Sequence, residues 1–240
     1  MDKLTIDLRL GDCLEEMKSI PTGSVDMVLT DMPYGTTRNR WDTVLDLDAL
    51  WKEYHRVGKV NCAFVLFAQI PFVVTLGASN LKNLRYEWIW QKTNPTGHLN
   101  ANKMPMKAHE NILVFYRKLP TYNRQMREGF TPYTTTRGHD STNYGAQQKT
   151  TTINTDGTRY PIDVIEFNKK GGKSFHPTEK PINLLEYLIR TYTNEGETIL
   201  DSCMGSGSTG VACQATNRNF IGIELLEEYF TIAKQRMKIE

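Results

Sequence analysis

Apolar positions in this chain alternate between two rhythms, short continuous runs and helix-spaced stripes. Runs at about 3–10, 25–30, 62–67, 85–91, 111–117, 197–201 and 219–224 have strand length and are rich in Val, Ile, Leu and Phe, which predicts strands. Cys62-Ala63-Phe64-Val65-Leu66-Phe67 is apolar at every position, as a parallel strand covered on both faces must be. Helices are expected through Leu14-Glu15-Glu16-Met17, over Leu45 to Tyr54, from Pro71 with proline in the first helical position, over Pro181 to Thr191, over 208–216 and from Glu227. Thr93-Asn94-Pro95-Thr96-Gly97-His98 reads as a polar loop. Strands alternating with helices imply an α/β fold with a doubly wound, mixed sheet. A chain of 240 residues with 39% hydrophobic content suffices for one core with an elaboration.

Two strand ends carry chemistry. The run Val25-Asp26-Met27-Val28-Leu29-Thr30 delivers Asp31-Met32-Pro33-Tyr34, an acid and an aromatic ring at the place where open α/β sheets bind ligands. Thr198-Ile199-Leu200-Asp201 leads into Cys203-Met204-Gly205-Ser206-Gly207-Ser208-Thr209-Gly210, where Gly205 and Gly207 permit a tight turn and close backbone approach. The helix from Ser208 would aim its positive end at a ligand. Glu224, at the end of the next strand, is placed to accept hydrogen bonds from ribose hydroxyls. Taken alone, this loop and acid also suit a nicotinamide-dependent oxidoreductase, which would leave Asp31 to Tyr34 unexplained.

These motifs, with His176-Pro177-Thr178-Glu179-Lys180-Pro181 and Phe220-Ile221-Gly222-Ile223-Glu224, resemble the β-class S-adenosylmethionine-dependent DNA amino-methyltransferases. The acid tetrapeptide precedes the glycine loop, which is the permuted order of that class. The resemblance covers roughly 1–117 and 174–240. It implies a Rossmann-like methyltransferase domain made of a catalytic half (1–117) and a cofactor-binding half (174–240), with an irregular target-recognition segment (118–173) inserted between them. It places Asp12 beside the adenine of the cofactor, Cys13 among the cofactor-binding residues, Thr178 and Lys180 near the cofactor pocket, and Asp201 as the acid of the loop. Asp31, Gly205, Gly207 and Glu224 complete the cofactor wall. Asp12 has a competing role as an N-cap, because Gly-Asp before a helix is a common cap. Met32 stands where the family generally has a second proline, and a DNA-binding module with a dead site is the corresponding alternative.

Chemistry argues for the tetrapeptide directly. An exocyclic base amine is a weak nucleophile because its lone pair is delocalised into the ring. Two acceptors facing its hydrogens draw the nitrogen toward tetrahedral geometry, and the Asp31 carboxylate and the Met32 carbonyl, aimed by Pro33, are the candidates. Tyr34 would stack on a base flipped out of duplex DNA. Family members that act on cytosine more often carry Ser at the acid position, so Asp31 favours adenine-N6 over cytosine-N4 transfer.

Formal net charge is +2, but residues 117–173 hold ten Lys and Arg against five Asp and Glu, so this stretch is +5 and the remainder −3. That asymmetry points to a polyanion partner, double-stranded DNA, with Arg124, Arg127 and Arg137 as contacts. Arg38 and Arg40, with Trp41, lie in the loop after the tetrapeptide and suit holding DNA around an extruded base. Trp41 is an equal candidate for packing under the next helix. Four scattered cysteines, Cys13, Cys62, Cys203 and Cys213, favour reduced thiols over a disulfide framework, and the histidines lack metal-ligand spacing, so no metal is expected. The chain has no apolar run long enough to span a bilayer. Met1-Asp2-Lys3-Leu4-Thr5 does not open a secretory signal, and the expectation is a cytoplasmic enzyme of a bacterial or phage genome, with a homodimer left open.

Overall fold

The computed structural model describes residues 4–35, 43–137, 149–168 and 179–239. The chain divides into two compact units, Met1–Asn123 with Asp163–Glu240, and Arg124–Ile162. In the larger unit the strands are β1 (Ile6–Leu10), β2 (Val25–Thr30), β3 (Gly58–Ala68), β4 (Leu84–Thr96) and β5 (Lys107–Phe115), followed after the insertion by β8 (Val164–Glu166), β9 (Thr198–Asp201) and β10 (Asn219–Glu224). The smaller unit holds β6 (Tyr133–Arg137) and β7 (Thr150–Asn154), paired antiparallel. Helices are α1 (Cys13–Met17), α2 (Leu47–Val57), α3 (Phe72–Ser79), α4 (Ile182–Tyr192), α5 (Ser208–Ala215) and α6 (Glu227–Met237).

The large sheet has the order β1-β10-β9-β2-β3-β5-β4-β8. Only β5 runs against its neighbours; every other pairing is parallel. Successive strand residues face opposite sides, so the central strands feed two cores. Met27, Leu29, Val65, Phe67 and Ile199 pack beneath α4, α5 and α6. Val28, Phe64, Leu66 and Leu200 pack beneath α1, α2 and α3. Each fully buried Leu, Val or Phe contributes about 1.5–3 kcal/mol, and these two layers fix the strand ends on which the site stands.

Most expected elements form within a few residues of their sequence positions, and the differences have physical reasons. β3 begins at Gly58, because an irregularity lets Val25 pair with Gly58 and Met27 with Ala63. Lys59, in that irregular stretch, reaches Asp26 at 2.6 Å, and the other Asp26 oxygen accepts from the Thr198 amide at 3.0 Å, stitching β2 to β3 and β9. Pro71 is the residue before α3, not its first residue. The expected loop at 93–98 is instead mostly strand, since β4 continues to Thr96 opposite Lys107. The inserted stretch, expected to be irregular, contains β6, β7 and β8. Its threonines are β-branched and suit strands, a preference hidden by their polarity.

Candidate active site

Strands β9 and β2 lie side by side in the sheet, with Met27 opposite Ile199 and Val28 opposite Leu200. From them the sheet grows outward in both directions, through β10 and β1 on one side and β3 on the other. This is a topological switch point, where open α/β sheets form a crevice. A cavity of about 890 Å³ opens there, walled by Gly11 and Asp12 after β1, Asp31 to Tyr34 after β2, the 202–206 loop after β9 and Glu224 to Leu226 after β10.

Buried acids anchor the glycine loop. Asp201 is 3% exposed, and its Oδ1 accepts from Thr30 Oγ1 at 3.0 Å and the Cys203 amide at 3.2 Å, while Oδ2 accepts from Thr209 Oγ1 at 2.6 Å. Burial pushes its carboxyl up to about 6, against the pull of those donors. Ser202 Oγ meets the buried Tyr54 hydroxyl at 2.7 Å. Asp201 therefore holds the loop from behind. Glu224 braces it from the next strand: Oε2 accepts from the Gly205 amide at 2.9 Å and Oε1 from the Leu226 amide at 2.8 Å. Its carboxyl is held above the usual range by burial. Gly207 precedes α5 with φ +79°, and a Cβ there would lie 2.9 Å from Ala233 Cβ and Met237 Cε. The close approach that Gly207 permits is thus to α6. Arg236 of α6 donates to the Ser206 carbonyl at 2.9 Å and pairs with Glu179 at 2.7 Å.

At the end of β2 the tetrapeptide is held by packing and hydrogen bonds. Met32 is buried in the core, so its side chain anchors the backbone at that position. Tyr34 donates its hydroxyl to Asp31 Oδ1, and its ring stacks on Phe72 at 5.3 Å between centroids. Asp31 Oδ2 accepts from Lys180 Nζ at 2.5 Å. Lys180 is 8% exposed and lies 5.1 Å from the Phe67 ring centre. Behind it, Glu110 Oε2 sits 3.2 Å from Lys180 Nζ, an ion pair without hydrogen-bond geometry, and Glu110 Oε1 pairs with Lys92. Burial would lower the Lys180 ammonium, but Asp31 and Glu110 outweigh it and hold it above its ordinary value. Burial would likewise raise Glu110, and the two lysines hold it below.

Asp31, Pro33, Tyr34, Asp12, Cys13, Lys180, Asp201, Gly205 and Glu224 all line this one cavity. Asp12 also has its competing role: Oδ1 caps α1 by accepting from the Leu14 amide at 2.8 Å and the Glu15 amide at 3.3 Å. The Cys13 thiol contacts that of Cys203, which draws Cys13 below the usual thiol range. Lys180, expected near the cofactor pocket, lines the cavity and is bonded to Asp31. Thr178, Arg38, Arg40 and Trp41 lie outside the described residues, as does His176. In the smaller unit the Arg124 guanidinium sits over the Tyr160 ring, 5.4 Å from its centre, and Arg127 donates to the Tyr160 carbonyl at 3.0 Å while covering Phe130. Arg137 closes β6 opposite Thr150. Lys92 and Glu110 were not singled out from sequence, because a charge inside a strand reads as solvated face. Among the described residues no group of three or more His, Cys, Asp or Glu is placed to hold a metal ion, and no helix is long and apolar enough to cross a membrane.

A family model described as DNA methylase (N6_N4_Mtase) matches residues 25–235. The chain belongs to the DNA methylase family. It is an amino-methyltransferase of this family, and its methyl donor is S-adenosylmethionine. The type II methyltransferase M.HinfI of Haemophilus influenzae is 26% identical over 259 residues, covering 95% of this chain and 67% of the relative. The DNA adenine methyltransferase YhdJ of Escherichia coli is 27% identical over 255 residues, covering 95% and 81%. The crystal structure of the M1.HpyAVI–SAM complex aligns with TM-score 0.69 at 25% identity, over 98% of this chain and 100% of that one. The crevice suits such a donor: it is bounded by backbone of the glycine loop, by the Glu224 carboxylate and by the apolar Leu225 and Leu226, and it reaches Asp31 without interruption.

Proposed function

We propose that this methylase transfers its methyl group to the N6 amine of an adenine turned out of double-stranded DNA. The observation that carries this reading is Asp31, at the end of β2, lining the same cavity as the glycine loop with its carboxylate held by both Tyr34 and Lys180. S-adenosylmethionine supplies an electrophilic methyl on a sulfonium. The residues supply position. Asp31, its plane fixed by two donors, accepts one amine hydrogen, and the Met32 carbonyl accepts the other. Tyr34 already has Phe72 stacked against it, and the base would lie against the ring from the cavity. Asp31 and the Met32 carbonyl would hold the amine hydrogens and receive the proton shed as the nitrogen lone pair bonds the methyl carbon and the electron pair of the methyl–sulfur bond passes to the donor's sulfonium. Alignment of this kind is worth roughly 7–11 kcal/mol, well above the few kcal/mol of base flipping. The acid at position 31 and the adenine-specific name of YhdJ support N6 over N4 transfer.

For the stretch 118–173, within which the compact unit Arg124–Ile162 falls, the proposed role is target recognition, supported by its charge of +5 with flanking Arg117. Glu224 and Asp12 are proposed to meet the ribose and adenine of the donor.

Sequencing of DNA from expressing cells, with detection of modified bases, tests the reading. N6-methyladenine confined to one short sequence is expected. N4-methylcytosine would make this a cytosine enzyme, and unmodified DNA from cells that contain folded protein would refute the activity.

A further inference from the structure

The tetrapeptide, Lys180 and the glycine loop leave two buried ionic groups without a role, Glu110 on β5 and Lys92 on β4. Both side chains are largely inaccessible, at 6% and 13%. Together with Asp31 and Lys180 they form a row of alternating sign, Asp31, Lys180, Glu110, Lys92, in which each charge faces its opposite. The row sums to zero. Buried charges persist only when paired, because desolvation of an isolated ion costs several kcal/mol. Carrying four such groups, one after β2, one within β4, one within β5 and one before α4, is an expensive way to build a wall, and apolar residues of similar volume often serve stability as well.

We infer that Glu110, seated by Lys92, is a positioning residue for methyl transfer: it fixes the Lys180 ammonium against Asp31, so that Asp31 presents one set orientation to the target amine. This rests on the reading of Asp31 as the amine acceptor. The mechanics follow from the geometry. Lys180 has a flexible four-carbon stem, and a single partner would let its ammonium swing with the carboxylate. With Glu110 at 3.2 Å on one side and Asp31 at 2.5 Å on the other, Nζ has one seat. Tyr34 then holds the second Asp31 oxygen. The other groups near Lys180 do not substitute for Glu110. Phe67 offers a ring face, Glu179 is engaged with Arg236 and Ser208, and Asp201 is bound by Thr30, Thr209 and the Cys203 amide.

Charge state enters as a second consequence. Lys180 stays cationic because two carboxylates outweigh its burial. With Glu110 neutralised, burial is opposed by Asp31 alone, so Lys180 loses its proton at lower pH and the hold on Asp31 fails there.

The test compares Glu110→Gln with the wild type in steady-state transfer of labelled methyl groups to duplex DNA, across pH. Expected are a fall in kcat of roughly ten- to a hundred-fold, the scale of a small misplacement at a reacting centre, a KM for S-adenosylmethionine within about two-fold, and an alkaline limb of the kcat profile moved down by on the order of one pH unit. Glu110→Asp should recover part of kcat and return the limb toward the wild type. The double variant Glu110→Gln with Lys92→Met removes both charges at once and covers the case in which the single variant does not fold; it should show the same alkaline displacement. An unchanged kcat, or a reduced kcat with the alkaline limb in its original place, overturns the inference. Asp31→Ala, run in parallel, separates the two readings: if it retains turnover the amine-acceptor reading fails, and if it is inactive while the Glu110 variants match the wild type only the positioning role fails.

Discussion

The crevice and the inserted unit use charged residues in opposite ways. In the crevice, Asp31, Lys180, Glu110 and Asp201 are all largely buried, and each is met by a fixed partner from another strand or loop. In Arg124–Ile162, Gly157 is the one buried residue among those described. There arginines replace a core: Arg159 lies over the rings of Tyr133 at 4.3 Å and Phe130 at 5.2 Å, and Arg127 covers Phe130 at 5.1 Å. The backbone bridge between Arg127 and Arg159, at 2.8 Å in both directions, and the turn at Asn154–Thr158 do the rest. Each cation–π contact at an exposed site contributes only about 0.5–1 kcal/mol. A reaction centre needs atoms held to fractions of an ångström by packed support, whereas a surface that reads DNA gains from adjusting to it. On the proposed reading chemistry belongs to the first region and recognition to the second, a division that fails if variants in either region disturb the other's function.

The largest effect is expected from Asp31→Ala. Loss of one preorganised polar contact in a catalytic site typically costs 10²–10³ in rate, so kcat should fall at least about a hundred-fold. Binding of S-adenosylmethionine, measured by calorimetry, should stay within a few-fold, because the carboxylate is bound by Tyr34 and Lys180 and its proposed action is on the amine. Turnover above about one per cent of the wild type would remove Asp31 from the centre of the mechanism.

Glu224→Ala should act on the donor alone. It deletes the acceptor proposed for the ribose and frees the Gly205 and Leu226 amides that Glu224 now binds. Charge-assisted hydrogen bonds contribute about 1.5–3 kcal/mol, so affinity for S-adenosylmethionine should fall by roughly ten- to a hundred-fold while kcat at saturation changes little. Affinity equal to the wild type would reduce Glu224 to a brace for the turn.

The fold was legible because burial on both faces writes itself into sequence. Cys62 to Phe67 is apolar throughout, and the structure covers it on one face with α2 and α3 and on the other with the α4 side. The acid tetrapeptide and the glycine loop were legible because each ends such a strand. What stayed hidden depended on pairing across the sheet. Glu110 and Lys92 are 18 residues apart and become partners only because β5 turns back antiparallel on β4. The bond of Lys180 to Asp31 links residues 149 positions apart. In the insertion, Thr134, Thr135 and Thr151 read as loop by polarity, yet they form β6 and β7, where a β-branched side chain suits an exposed two-stranded ribbon. Arg127 read as a free cation because sequence does not show the Tyr160 carbonyl that it reaches.

The smallest predicted effect separates two arginines of the inserted unit. Arg124 is exposed and touches only Tyr160 among the contacts resolved for its side chain, through its ring and, at 3.4 Å, its hydroxyl. Arg127 is half-buried and committed to the Tyr160 carbonyl and the Phe130 ring. If recognition resides here, Arg124→Gln should weaken DNA binding and flatten its logarithmic dependence on salt by about 0.9, the value of one lost phosphate contact. Arg127→Gln should instead loosen the unit, seen as faster amide exchange at Arg159, whose amide donates to the Arg127 carbonyl, with a salt slope close to the wild type. Neither substitution should change affinity for S-adenosylmethionine. Equal flattening by both would mean that Arg127 leaves its internal partners to meet DNA. Equal loosening by both, with no change of slope, would move the DNA-contacting role out of this unit and toward the loops beside the crevice.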